Sequence, residues 1–506
     1  MPTVGLEMEM AIANRVTGAS HAVGPYFRIL RGIKAKRGDT VEAKWIGERQ
    51  IGLISPGVIS SLDNGFNNLE SSIGPVAEGP ANLCELHRQV CRELDDVCAA
   101  LAEEGATILD MAEHPALLAD VEGYHRIRAP KPIYDYWVEQ RGWNHAVGID
   151  AKAQNSPSTG VTWADAVKAL NTLLILSPAL IALHANSPIE AGMITKFKEN
   201  RLTLWPRMFG GARFPGDWAL HTLPAAPFHD LRGYFAWMFG PGRAMQCVPL
   251  HDRDDYKISG DLYQIDACPC LLDFLAAPRW DGRRIKGGRL GLVVPGMHQL
   301  DFLQFTSFLD ARIRFRFNAE PFGVDEFLGA WRRGDALEEL FADKSGPCYI
   351  EGRATGANFP DAELVEMPES KIAESVVMSP SALQTGLLRN LDEAVRLAQS
   401  IPYAAVPALR VAAIRDGLSG KAGDLSLERL CRQVVEVAGR GLATEEQWML
   451  TYCETVLRSR MTGADRALRA YARGSGSPVE RALAVARGRA IVWPLVSPGR
   501  RAVPPE

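Results

Sequence analysis

A chain of 506 residues, 47% hydrophobic and 23% charged, is long enough for about two to four average domains or for one large catalytic domain with a helical attachment. Its net charge of −4 and pI near 6.3 exclude a general attraction to nucleic acid or anionic membrane, so any anionic ligand must be held by local basic residues. Nine cysteines without a CxxC pair, and an N-terminus without a basic region leading into an apolar one, predict a reduced cytoplasmic protein with no signal peptide.

The first element is a strand over Val4–Ile12. A period of two puts Val4, Leu6, Met8, Met10 and Ile12 on one face and aims Glu7 and Glu9 together from the other. Two carboxylates so placed repel unless water screens them or a cation lies between them; hard oxygen ligands suit Mg²⁺ or Mn²⁺. Glu70, in a short polar/apolar alternation within Asn64–Ile73, could complete a three-carboxylate cluster. A solvated acidic sheet face is the alternative.

Between these sites, His21–Gly57 reads as strands and turns. Asn82 then caps a helix whose apolar stripe is Leu83, Leu86, Val90, Leu94, Val97 and Leu101, with Gly105 as its stop. The basic and aromatic residues of Arg126–Trp143 fit either a nucleobase and phosphate contact or a half-buried helix. Asn144–Gln154 alternates again and predicts a second strand with Asp150, Lys152 and Gln154 on its polar face. His145 reads as a packed or hydrogen-bonded histidine.

Thr162 and Asp165 open a long apolar helix that must end near Ala185-Asn186-Ser187-Pro188. Its uncharged core, Ala169–Ala185, is short and interrupted for a membrane span, so a buried helix is expected. Later, Ala311–Asn318 alternates so that Arg312, Arg314, Arg316 and Asn318 share a face. Three adjacent guanidiniums need solvent or a shared anion, with triphosphate and substrate carboxylate as candidates. From Ser379 the pattern turns helical, with a stripe at Leu427, Leu430, Val434 and Val437 and capping signals at Thr444–Gln447 and Ser477–Glu480. The end, Pro498–Glu506, reads as loose. No GxxxxGK[ST], GxGxxG, HExxH or GxSxG sequence names a standard reaction.

These residues together resemble the ATP-dependent glutamate-cysteine ligases, in particular the plant and proteobacterial branch of the carboxylate-amine ligases. Gly5-Leu6-Glu7-Met8-Glu9 is similar to that family's G-x-E-x-E strand, and Leu69-Glu70 to its next metal-binding glutamate. Ala182–Pro188 resembles its A-L-x-A-N-S-P turn, followed by Arg201 and Trp205; Asp310–Arg314 is similar to its arginine strand, and Gly386-Leu387-Leu388 with Asp392 to its G-L-L-Y-D segment. The matches run from residue 5 to about Leu418.

The resemblance implies an α+β fold: a curved, mostly antiparallel sheet with outer helices, a glutamine-synthetase-like ligase core, and a C-terminal helical region. It implies a catalytic core over 1–378, packed helices over 379–473, and a linker, short helix and tail over 474–506. The implied reaction joins the γ-carboxyl of glutamate to an amine, cysteine in the parent activity, through γ-glutamyl phosphate. ATP and Mg²⁺, or Mn²⁺, are the implied cofactors. Glu7, Glu9 and Glu70 would hold metal; Arg312 and Arg201 would act on the reacting anions; Arg314, Asn186 and Lys152 would contact nucleotide. The expected partners are small molecules, with no nucleic acid and no membrane, in a monomer or homodimer. Gly65–Asn68, Ile149–Gln154 and Asn318 depart from the family's pattern near the second metal site and the acceptor pocket, so another amine or a peptide stays open as acceptor, as does a non-catalytic binding relative.

Overall fold

The period of two at the N-terminus builds strand β1 (Val4–Asn14), with Val4, Leu6, Met8, Met10 and Ile12 buried on one face. A computed structural model, which describes residues 3–251, 260–317, 322–334, 336–369 and 371–495, gives this strand a central place in a nine-stranded sheet. The other strands are β2 (Glu42–Ile46), β3 (Arg49–Ser55), β4 (Val58–Leu62), β5 (Asn68–Val76), β6 (Ala106–Ile108), β7 (Asn155–Val161), β8 (Ala311–Phe317) and β9 (Ser345–Gly352). Their order is β8-β9-β7-β1-β5-β4-β3-β2, with β6 on the end of β1, and every pairing is antiparallel.

Register carries one polar face across the sheet. Glu9 lies opposite Glu70 and Glu70 opposite Ser61; Glu7 lies opposite Ser156; Glu351 lies opposite both Ser158 and Arg312. Ser156 and Ser158 are two residues apart and so point the same way, which puts Glu70, Glu9, Glu7, Glu351 and Arg312 on one side. A slip of one residue would bury them all.

The opposite face is covered by helices. On α1 (Tyr26–Lys36) and α2 (Asn82–Ala102), Glu93 accepts from Ser60 and Ser71 of the sheet at 2.6 and 2.8 Å and from Lys34 at 2.5 Å. The α2 stripe is buried as expected, each leucine contributing about 1.5–3 kcal/mol relative to exposure. Two short helices, α3 (Val121–Ile127) and α4 (Pro132–Asp135), lead to the long α5 (Trp163–His184). By length and composition α5 is apolar enough to cross a membrane, but it is mostly buried inside the protein. Thr162 caps it, accepting from the Asp165 amide at 3.2 Å. Helices α6 (Ser379–Arg389) and α7 (Leu427–Gly441) join the same apolar core, whereas α8 (Pro478–Gly488) packs through Ala482, Val485 and Ala486 on a smaller cluster with Leu109 and Met111.

Four local expectations are corrected. His21–Gly57 contains α1, because Tyr26, Phe27 and Leu30 fall on one helical face that docks on the core. Asn82 does not cap α2: Ala81 precedes the helix in the left-handed region, φ 55°, and Asn82 Nδ2 donates to Ala77 O at 3.2 Å. Asn144–Gln154 is not a strand; Gly148, at φ 101°, separates two single helical turns, His145–Val147 and Ile149–Ala151, and β7 starts only at Asn155. The turn at Thr444–Leu450 is capped through Ala443, whose amide donates to Glu446 at 3.1 Å. Asn318 and Pro498–Glu506 lie outside the described residues.

Candidate active site

The polar face of the sheet forms the floor of a cavity of about 930 Å³, its open mouth included. Glu7, Glu9 and Glu70 line it, joined by Asp63 and Asn64 from the turn after β4. Glu9 and Glu70 are directly opposed across β1 and β5, a separation of about 5 Å between Cβ atoms in such pairs. The Gln154 amide donates to Glu9 Oε2 at 3.0 Å, and Ser61 donates to Glu70 Oε1 at 3.2 Å. Burial first, then Asp63 and Glu7, push the Glu9 carboxyl well above the ordinary carboxylate value, against the pull of Arg353. Crowding of like charge on this wall favours a bound cation.

A second wall is basic. Arg312 clamps Glu351 with Nε at 3.0 Å and a second guanidinium nitrogen at 2.8 Å, and spends Nη1 on Phe305 O and Ser307 O at 2.6 and 3.1 Å. Arg353 bonds the same carboxylate at 2.9 Å, and Arg314 approaches it to 3.8 Å. Burial alone would raise the Glu351 carboxyl, but Arg312, Arg353 and Arg314 outweigh it and hold the group well below its ordinary value. The anion shared by the arginine strand is therefore supplied by the protein itself. Arg353 also feels the charges of Glu9 and Glu7, and so links the two walls.

Arg201 enters from beyond the Asn-Ser-Pro turn. Its backbone amide donates to Ser187 Oγ at 3.0 Å, and its guanidinium is fixed by Glu199 at 2.8 Å, Gln154 Oε1 at 3.0 Å and Ala354 O at 3.1 Å. Lys152 reaches the cavity but is ion-paired to Glu113 and, at 3.3 Å, to Glu190.

The third wall is aromatic. Tyr134, Trp137 and Trp143 form a stacked column, with ring centroids 5.6 and 5.1 Å apart and interplanar angles of 26° and 21°. Trp205 and Phe308 face it, 4.9 Å apart. This end is built from α4, the wide turn Tyr136–Gln140 that extends it, and the broken segment around Gly148.

Of the residues expected from sequence, Glu7, Glu9, Glu70, Arg201, Arg312 and Lys152 converge on this cavity. Asn186 does not: it is fully buried elsewhere, its Nδ2 donating to Asp110 O, Asp110 Oδ1 and Ala357 O at 3.0, 3.1 and 2.9 Å and its Oδ1 accepting from Arg489 at 2.8 Å. Arg314 stands beside Glu351 at the edge of the sheet without lining the cavity, and Arg316 is exposed. The sequence reading missed Asp63, Glu351 and Arg353, and named Gln154 only as one residue of a polar strand face. Glu351 had a signal, since Cys348 and Ile350 alternate with it opposite the arginine strand; Arg353 had none.

Among the described residues, no group of three or more carboxylate, imidazole or thiol side chains is placed to hold a metal ion by itself. The acidic wall fits a different mode, in which Mg²⁺ takes one or two carboxylates and completes its shell with water and phosphate oxygens.

No curated protein matches the chain significantly. The solved structure of a glutamate–cysteine ligase from Francisella tularensis in complex with AMP aligns with a TM-score of 0.49 at 12% identity, over 96% of this chain and 87% of that one. The family model described as glutamate-cysteine ligase family 2 matches residues 3–219. The matched stretch is the one that carries Glu7, Glu9, Glu70 and Arg201.

Proposed function

We propose that the chain forms a γ-glutamyl amide bond. A carboxylate is a poor acyl donor, so its γ-carboxylate oxygen first takes the γ-phosphoryl group of ATP and ADP leaves. An amine nitrogen then attacks the acyl carbon, inorganic phosphate departs, and the nitrogen loses a proton. The observation that carries this reading is the facing of an acidic wall, Glu7, Glu9, Glu70 and Asp63, against Arg201, Arg312 and Arg353 in one cavity.

Phosphoryl transfer depends on positioning and on charge matched to the phosphoryl oxygens. Mg²⁺ bound with the nucleotide would neutralise phosphate charge there. One or two of Glu7, Glu9 and Glu70 would hold it, with water and phosphate oxygens completing its shell. Arg353, which feels the charges of Glu9 and Glu7, and the remaining N–H of Arg312 suit the transferring phosphoryl group or the glutamate carboxylate. Arg201, held on three sides, presents a fixed charge that need not reorganise. The protein's own groups thus bind and orient both anions.

Cysteine, for which the family is named, is the first acceptor to assay. Purified protein with Mg-ATP and glutamate should release ADP when an amine is added, and the product mass should equal glutamate plus the amine less water. ADP release that ignores glutamate would contradict the reading.

A further inference from the structure

The aromatic wall carries no charged group and takes no part in the phosphoryl transfer proposed above. Both of its stacked indoles turn their N–H away: Trp137 Nε1 donates to Gln246 Oε1 at 3.0 Å and Trp143 Nε1 to Asp217 Oδ2 at 2.7 Å. What they show the cavity is apolar ring.

One polar atom interrupts this wall. His145 is 1% exposed, lines the cavity and packs against Tyr134 and Trp137 at 5.6 and 5.9 Å, yet its Nε2 has no hydrogen-bond partner among the described residues. Its Nδ1 meets Tyr124 Oη at 3.0 Å. Burial, with Arg128 beside the ring, lowers the imidazole to about 3, so it stays neutral. His145 thus sets a single unpartnered ring nitrogen, Nε2, in an aromatic surface.

A buried polar atom without a partner is costly, and a ligand that supplies the matching hydrogen-bonding atom there gains affinity. Adenine fits this wall poorly, because its ring edges carry several donors and acceptors and the wall answers one. The cysteine side chain ends at one methylene and a sulfur, too short to cover the stacked column and reach the far ring nitrogen. We infer that the aromatic end selects the acceptor amine, and that it takes an amine on an aromatic or large apolar body bearing one hydrogen-bonding group such as a hydroxyl, met by His145 Nε2, in preference to cysteine. This rests on the γ-glutamyl ligase reading; in the step itself the amine nitrogen bonds the acyl carbon, the bond to phosphate oxygen breaks, and a proton leaves the nitrogen for solvent.

Two assays on the full chain with Mg-ATP and glutamate separate the claims. Hydroxylamine is small enough to trap γ-glutamyl phosphate as the hydroxamate without using the aromatic wall. Tyramine, phenethylamine, cysteine and methylamine then compete as acceptors. The expected order of kcat/KM is tyramine, phenethylamine, cysteine, methylamine, with tyramine at least about tenfold above cysteine. In His145→Phe the preference for tyramine over phenethylamine should fall to about one. If that variant does not fold, Trp205→Ala, at a partly exposed ring, should lower kcat/KM for both aromatic amines relative to cysteine. Hydroxamate formation with cysteine as the best acceptor would overturn the inference and leave the ligase reading standing; absence of hydroxamate would overturn both. A rise in the KM for ATP instead of the amine in either variant would assign the wall to the nucleotide base and refute the inference.

Discussion

Two buried clusters of arginines and carboxylates can be compared in this protein. In one, Asp110 accepts from Arg466 and Arg489 at 2.9 and 2.7 Å, Arg489 also reaches Asp361 at 3.0 Å, and Asn186 closes the network. In the other, Glu351 holds Arg312 and Arg353. Both are buried and tightly bonded. The first pairs two carboxylates with two guanidiniums around no open space, and it ties α8 and its neighbours to the sheet. The second borders a cavity that is also lined by the carboxylates Glu7, Glu9, Glu70 and Asp63. Burial and ion pairing do not mark a site; separation of charge across open space does.

The sharpest way to break this comparison is to make the same isosteric change in each place. Asp110→Asn leaves two buried guanidiniums to share the single carboxylate of Asp361 and should cost about 3–5 kcal/mol of stability by denaturant titration, with the activity of the folded fraction kept. Glu7→Gln should do the reverse: kcat/KM falls by about 10²–10³ while the unfolding midpoint stays near that of the unaltered protein. A folded, fully active Glu7→Gln protein would remove the metal role assigned to that wall.

The Glu351 cluster also predicts a pH dependence. Its carboxyl is held below its ordinary value, so its stabilisation is complete above about pH 4.5 and is lost as pH falls through the depressed value. Thermal unfolding followed from neutral to acid pH should show an acid limb that Glu351→Gln flattens; an unchanged limb would count against the cluster as its source. The smallest expected effect is that of Asn186→Ala, about 1–3 kcal/mol of stability from unsatisfied buried partners, with no change in the KM for ATP. A raised KM would return Asn186 to the nucleotide site from which its position removes it.

Legibility in the sequence followed periodicity. β1, α2 and β8 were readable because each repeats at 2.0 or 3.6 residues, α5 from its cap and its uncharged apolar run, and the alternation of the strands pointed Glu7, Glu9 and Arg312 into one space. The aromatic end was not readable, since Gly148 breaks the alternation of Asn144–Gln154 and the rings of Trp137 and Trp143 meet only through the turns between them. The partner of the arginine strand was hidden for another reason. A residue type that suits phosphate equally suits a buried glutamate on the next strand, and only register, Arg312 opposite Glu351, decides between them.

The most direct test of carboxylate activation in this cavity is isotope transfer from glutamate labelled with oxygen-18 in its γ-carboxylate. With Mg-ATP and an accepted amine, one labelled oxygen should appear in the inorganic phosphate for each amide formed. Amide formation with unlabelled phosphate would contradict an acyl phosphate, and with it the role of the facing acidic and basic walls in forming one.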